Sequence, residues 1–299
     1  MPLLPFLSFL TIDINIDPTL FNAGPFTLTW HGLFTAIGII CGVSLSVYLA
    51  KKDGIPSDVG EEIALVAVPA AIVGARLFYC LEHFDTFKDD PAKIVTGITD
   101  GGITLYGGLI AGVVAGLAYG LWRKWPIAIG LDAAAPGMIL GQGLGRVGDL
   151  INGEHHGTAS DLPWAFRYTN PNTLGELGKS VHPTAGGYEL IGDFIICAIL
   201  LFVCRRRFKS PGLVFCSYVV IYGVLRFFLS YFRLDERQYF GISDAQMVSA
   251  ALVFLALIGA SVLFKHPGPI TREYAERVWG DEAAERMGQD EETTSTATA

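Results

Sequence analysis

Residues Gly145 to Gly157 read GRVGDLINGEHHG, which places an arginine, an aspartate, an asparagine, a glutamate and two histidines directly behind an apolar run. Hydrocarbon cannot solvate such groups, so at the end of a membrane span they mark a polar site at the membrane surface. Arg146 leads the segment, and its planar donor fork matches the oxygens of a phosphodiester. Asp149, Asn152 and Glu154 follow it within eight residues. A second arginine, Arg226, interrupts the apolar run SYVVIYGVLRFFLSYF. An arginine inside a span faces the protein interior and takes a partner, here either an acid such as Glu154 or Glu189 or a bound phosphate. Ser230 and Arg233 lie four and seven residues further on, so one polar stripe runs along that helix.

Three more residues have chemistry to offer. Arg76 in GARLFYCLEHF sits inside an apolar run, with Glu82 and His83 at its end as pairing partners and a lipid headgroup as the competing one. Tyr106 follows two glycines by three residues in GGITLYGGLIAG, where a phenol can donate to a phosphate or relay a proton. His31, after Trp30, opens the first apolar run and titrates near neutral pH. Glu154, His155 and His156 do not form an HExxH pattern, and neighbouring histidines point in different directions, so no metal site is expected. No Walker loop, dinucleotide fingerprint or nucleophile elbow occurs.

The elements that must position these groups are membrane helices. The chain is 51% hydrophobic and 17% charged, well under the roughly 25% charged residues of a soluble domain. Seven spans are expected, near Leu28–Ala50, Glu62–His83, Ile103–Trp122, Ile127–Gly145, Tyr188–Cys204, Gly212–Phe232 and Ala245–Phe264. Basic residues concentrate in alternate loops: Lys51 and Lys52, Arg123 and Lys124, then Arg205, Arg206, Arg207 and Lys209, then the C-terminal tail. That pattern predicts an all-α, polytopic protein with its N-terminus outside and its C-terminus in the cytoplasm. It divides into an extracytoplasmic segment 1–27, a seven-span domain 28–266 with an irregular head loop at 149–187, and an acidic, solvated tail 267–299. The opening MPLLPFLSFL lacks a basic n-region and a small-residue cleavage site, so it is not expected to be a removed signal peptide. Glycines recur every four residues at 108, 112, 116 and 120 and again at 137, 141 and 145, which lets helix backbones approach closely. The five cysteines sit in or beside apolar runs without CxxC spacing, as buried thiols do. Much of the net charge of −8 lies in the tail, and no basic surface for nucleic acid is visible.

The segment resembles the signature of the bacterial prolipoprotein diacylglyceryl transferases, G-R-x-G-N-F-x-N-x-E-x-x-G, differing at the Asn-Phe pair. The resemblance extends through GARLFY at 74–79, YGGLIAG at 106–112, HPTAGGYE at 182–189, YGVLRFF at 222–228 and DAQMVS at 244–249. It implies transfer of a diacylglyceryl group from phosphatidylglycerol to the lipobox cysteine of a preprolipoprotein, in the bacterial cytoplasmic membrane, without metal or organic cofactor. The alternatives are a phospholipid-binding relative with altered catalysis and, from another class, a transporter. By resemblance, Arg146, Asp149, Asn152, Gly157 and Arg76 bind phosphatidylglycerol, while Tyr106, Arg226, Glu154 and His31 serve the chemistry. Four positions depart from the family. Tyr106 stands for a frequent histidine, Asp149 for the signature asparagine, His31 for a usual tyrosine, and Ser230 for an acid found in some members. The proton acceptor for the thiol therefore lies among His31, Glu154, Asp149 and Tyr106, and an exchange of roles between positions 31 and 106 would be compensatory.

Overall fold

The computed structural model describes residues 11–263 apart from 25, 56, 89, 97–101, 103, 124, 156, 209, 235, 236 and 240. His156 and the acidic tail lie outside the described residues, as does the side chain of Tyr106. About 70% of the described residues are helical. The long helices are α1 (Trp30–Lys52), α2 (Ser57–Glu82), α3 (Leu105–Trp122), α4 (Ile127–Asn152), α5 (Thr184–Arg207), α6 (Leu213–Phe232) and α7 (Asp244–Leu263). Six of these are long and apolar enough to cross a bilayer, while the apolar stretch of α3, Gly107–Trp122, is shorter. Large apolar side chains such as Ile40, Leu65, Ile72, Val114, Phe202 and Phe254 stay exposed on these helices. A helix that is apolar on its outer face as well as its inner one is built for hydrocarbon, not water.

The chain folds as two units, one running to Ser46 and resuming at Ala134, the other comprising Val47–Ala133 among the described residues. In the second unit, α2 and α3 pack through small residues. Gly74 and Gly107 each leave room for the other's carbonyl, and Gly108 and Gly112 lie against Ala71. In the first unit, a core of Ala135, Ile139, Ile196, Cys197, Leu200, Cys204 and Val214 joins α4, α5 and α6. All five cysteines are free thiols, four of them buried.

The packing of α1 on α4 in this unit sets the position of the polar residues. A Cβ on Gly38 would lie 2.5 Å from the Gly141 carbonyl oxygen, and one on Gly42 would lie 2.6 Å from that of Gly137. The stripe does not continue to Gly145, where a Cβ would meet nothing within 4 Å. It passes instead to Gly148, whose missing side chain makes room for the backbone of His31. An α-helix has 3.6 residues per turn, so 137, 141 and 148 share a face that 145 has already left.

Helix ends depart from the expected spans in one consequential way. Helix α4 runs on to Asn152 instead of stopping at Gly145, so Arg146, Asp149 and Asn152 occupy its last two turns. Helix α5 begins at Thr184 with a wide π-type turn to Glu189, ahead of the expected Tyr188. The intervening head is not wholly irregular. Strand β1 (Ile12–Ile14) pairs in parallel with β2 (Phe166–Tyr168), which pairs antiparallel with β3 (Ser180–Val181). Ile14, Phe166, Tyr168 and Val181 form its core, with Leu150 of α4 packed beneath. Two hairpins add Thr19–Ala23 with Phe26–Thr29, and Arg237–Tyr239 with Ile242–Ser243.

Candidate functional site

Two buried carboxylates organise the polar cluster of the first unit. Glu189, brought inward by the π-type turn, is only 1% exposed. One of its oxygens accepts hydrogen bonds from Arg146 Nη2 at 3.1 Å and Tyr222 Oη at 3.0 Å, and lies 4.0 Å from Arg226 Nε. The other lies 3.7 Å from Arg233 Nη1. Asp149, 3% exposed, accepts from Arg146 Nη1 at 2.6 Å through Oδ2. Its Oδ1 lies 2.8 Å from His31 Nδ1. A helical i,i+3 spacing puts Arg146 and Asp149 on the same face, so the guanidinium spans both acids.

A second layer surrounds these groups. Asn152 donates to Glu154 Oε1 at 2.8 Å, and Glu154 Oε2 is 3.8 Å from His31 Nδ1. His155, at φ 59°, turns its Nδ1 to within 3.0 Å of Arg233 Nη2 and its Nε2 to 3.7 Å from Asp149. Arginine can only donate. The His155 proton therefore belongs on Nε2, with Nδ1 accepting. Desolvation pushes this imidazole below its ordinary value; Asp149 opposes the shift, and the Arg233 charge reinforces it. Arg226 donates to Ser230 Oγ at 3.1 Å, realising the stripe expected on α6.

Three guanidiniums, those of Arg146, Arg226 and Arg233, converge on the buried carboxylate of Glu189, and Arg146 also pairs with Asp149. Arg146 Nε, Asn152 Oδ1 and Glu189 Oε2 are buried without a hydrogen-bond partner. Buried polar atoms carry a desolvation penalty unless something bonds them; an anionic oxygen would satisfy the Arg146 Nε donor, whereas the two oxygens call for donors such as hydroxyls. Ligand atoms of His31, Asp149 and Glu154 also fall within 4.8 Å of one another, a spacing a cation can use. The Arg146 guanidinium on Asp149 opposes that use.

The structure brings together His31, Arg146, Asp149, Asn152, Glu154 and Arg226. Gly157 lies beside them for a backbone reason, since a side chain there would strike the His182 carbonyl. Arg76 belongs to the other unit. It donates to the carbonyls of Lys93, Ile94 and Gly102 at 2.8–2.9 Å and lies over the rings of Tyr79 and Phe87. Neither Glu82 nor His83 is among these contacts. Tyr106 stands in the first turn of α3. The sequence alone presents Glu189 only as a pairing partner, Arg233 only as part of the α6 stripe and His155 only as a rejected metal ligand, and it does not single out Tyr222. The spacing of Tyr222 and Arg226, one turn apart ahead of Ser230 and Arg233, was the available signal.

A family profile described as prolipoprotein diacylglyceryl transferase matches residues 18–262. A protein of Finegoldia magna named phosphatidylglycerol–prolipoprotein diacylglyceryl transferase is 34% identical over 245 residues, covering 81% of this chain and 94% of its own. Proteins of the same name from Clostridium botulinum and Gloeobacter violaceus are 33% and 34% identical, each over 81% of this chain and over 95% and 91% of their own lengths. The chain is a multi-pass bacterial membrane enzyme, and it belongs to the prolipoprotein diacylglyceryl transferase family.

Proposed function

We propose that the protein transfers the sn-1,2-diacylglyceryl group of phosphatidylglycerol to the lipobox cysteine thiol of a preprolipoprotein, at the outer face of the bacterial cytoplasmic membrane. The observation that carries this reading is the convergence of Arg146, Arg226 and Arg233 on Glu189. A phosphodiester is monoanionic and presents two free oxygens, the chemistry such a cluster accepts. Arg146, Asp149, Asn152 and Gly157 form the headgroup site, with Asp149 holding Arg146 in place. Arg226 and Glu154 act at the reacting centre, together with His31 and Tyr106. For Arg76, its three carbonyl contacts favour anchoring the segment at Lys93–Gly102 over touching lipid. Seven spans, an outer N-terminus and a cytoplasmic tail from 267 complete the arrangement.

In the reaction the thiol loses its proton, and the sulfur attacks the sn-3 carbon of the diacylglyceryl group. The bond from that carbon to the phosphate oxygen breaks, and its electron pair leaves with glycerol phosphate. The departing phosphate gains a negative charge, which Arg146 and Arg226 stabilise more strongly in the transition state than in the ground state. The test mixes purified protein in detergent with phosphatidylglycerol and a lipobox peptide, following glycerol phosphate release and the mass gain on cysteine. Turnover that is lost with Arg146→Ala and with a Cys→Ser peptide supports the transferase. Phosphatidylglycerol binding without turnover by the wild type would overturn it in favour of a lipid-binding protein.

A further inference from the structure

The two positions that depart from the family next to the headgroup site, 31 and 149, touch each other. His31 Nδ1 sits 2.8 Å from Asp149 Oδ1, on a ring that keeps 39% of its surface exposed. The contact is off the hydrogen-bonding direction, since both atoms are buried without a directed bond. Such contacts are often loose before substrate binds and align in the complex. Where the family pattern has tyrosine and asparagine, a neutral pair, this chain has an imidazole and a carboxylate. We infer that His31 is the general base that takes the acceptor thiol's proton, with Asp149 as its positioning residue; this rests on the transferase reading above.

Elimination among the neighbours points the same way. His155 has one nitrogen on Arg233 and the other turned towards Asp149. Asp149 is almost fully buried and held by Arg146, so no acceptor thiol reaches it. Glu154 is engaged by Asn152 at 2.8 Å. A phenol such as Tyr106 has an ordinary pKa near 10, so at neutral pH it is a poor proton acceptor. Among the described residues of the cluster, His31 offers a ring nitrogen, Nε2, opposite the one that faces a carboxylate. The charged groups facing it are Asp149 and Arg146 from α4 and Glu154 from the segment after it. A carboxylate on Nδ1 fixes the tautomer that frees Nε2 and stabilises the imidazolium that forms. The proton moves from sulfur to Nε2, the thiolate forms the C–S bond, and the imidazolium later returns its proton to water or to the released phosphate.

Turnover is measured from pH 5.5 to 9 for the wild type, His31→Gln and Asp149→Asn, alongside phosphatidylglycerol binding. The wild type should rise with pH and level off once the imidazole is neutral. His31→Gln should bind lipid normally yet lose about 10²–10⁴-fold in kcat at neutral pH. Its deficit should then shrink about tenfold per pH unit towards the thiol's own pKa near 8.5, because solution thiolate bypasses the missing base. Asp149→Asn should lower kcat and keep the levelling profile. A His31→Gln loss that is constant across pH, or no loss, overturns the base assignment while leaving the transferase intact. An inactive wild type removes both.

Discussion

We predict that two signature glycines three residues apart, Gly145 and Gly148, respond oppositely to the same substitution. At Gly148 a Cβ would be driven against the backbone of His31, with the His31 nitrogen at 3.1 Å and its Cβ at 3.2 Å. Backbone atoms cannot rotate away, so α1 and α4 must separate locally. Overpacking of this kind costs about 1–3 kcal/mol. The same displacement shifts the imidazole from Asp149, and a misplacement of about 1 Å at a reacting group reduces rate on the order of 10²-fold. At Gly145 a Cβ meets nothing within 4 Å, so the methyl costs no packing. Loss of chain entropy in the unfolded state then favours Gly145→Ala by about 0.4–1 kcal/mol. The assay is thermal unfolding of both variants in one detergent, with transfer rate measured on Gly148→Ala. Equal stability of the two variants, or wild-type turnover by Gly148→Ala, would refute the α1–α4 contact as the element that sets the His31 position.

Three further outcomes follow from the same geometry. Glu189→Gln, which keeps shape but removes the charge shared by Arg146, Arg226 and Arg233, should destabilise the protein by about 1–3 kcal/mol; an unchanged melting temperature would show that the arginines do not depend on it. His155 is held neutral, so its contribution to stability is present above its ordinary value of 6.5 and is lost as pH falls below that, because protonation sets an imidazolium against Arg233. The difference in melting temperature between wild type and His155→Gln should therefore narrow between pH 7.5 and 5.5, and a parallel pair of curves refutes it. Arg76→Ala removes donors from three carbonyls and should speed hydrogen exchange around Lys93, Ile94 and Gly102, with the Arg146 region unchanged.

Much of this helical architecture is legible in the sequence because apolar length is a one-dimensional signal. The polar segment at 145–157 stands out for the same reason. Other features need three dimensions. The end of α4 could not be placed because hydropathy falls at Arg146 while the helix continues to Asn152, with Arg146 paired to Glu189 and Asp149. The head strands are two or three residues long, too short to show a period-2 pattern. A four-residue glycine count suggested Gly145 as a packing position, yet the face turns and Gly148 takes the contact. Glu189 looked like one acid among several, because nothing local announces a π-type turn that rotates it inward. The pairing of His31 with Asp149 joins residues 118 apart in sequence, beyond any local pattern.

The glycine contacts between α1 and α4 set backbone against backbone, with the short Ser46 side chain seated at Gly137, so little compressible material lies between the two helices. A pair of spans responds to a thinner or thicker bilayer by changing tilt. In this protein that contact is backbone on backbone, and the ends of the same two helices beyond it carry His31 and Asp149. Membrane thickness thereby becomes a mechanical input to the chemistry. Reconstitution in lipids of stepped acyl length should tune turnover through the distance between these two side chains, even where headgroup and concentration are held constant.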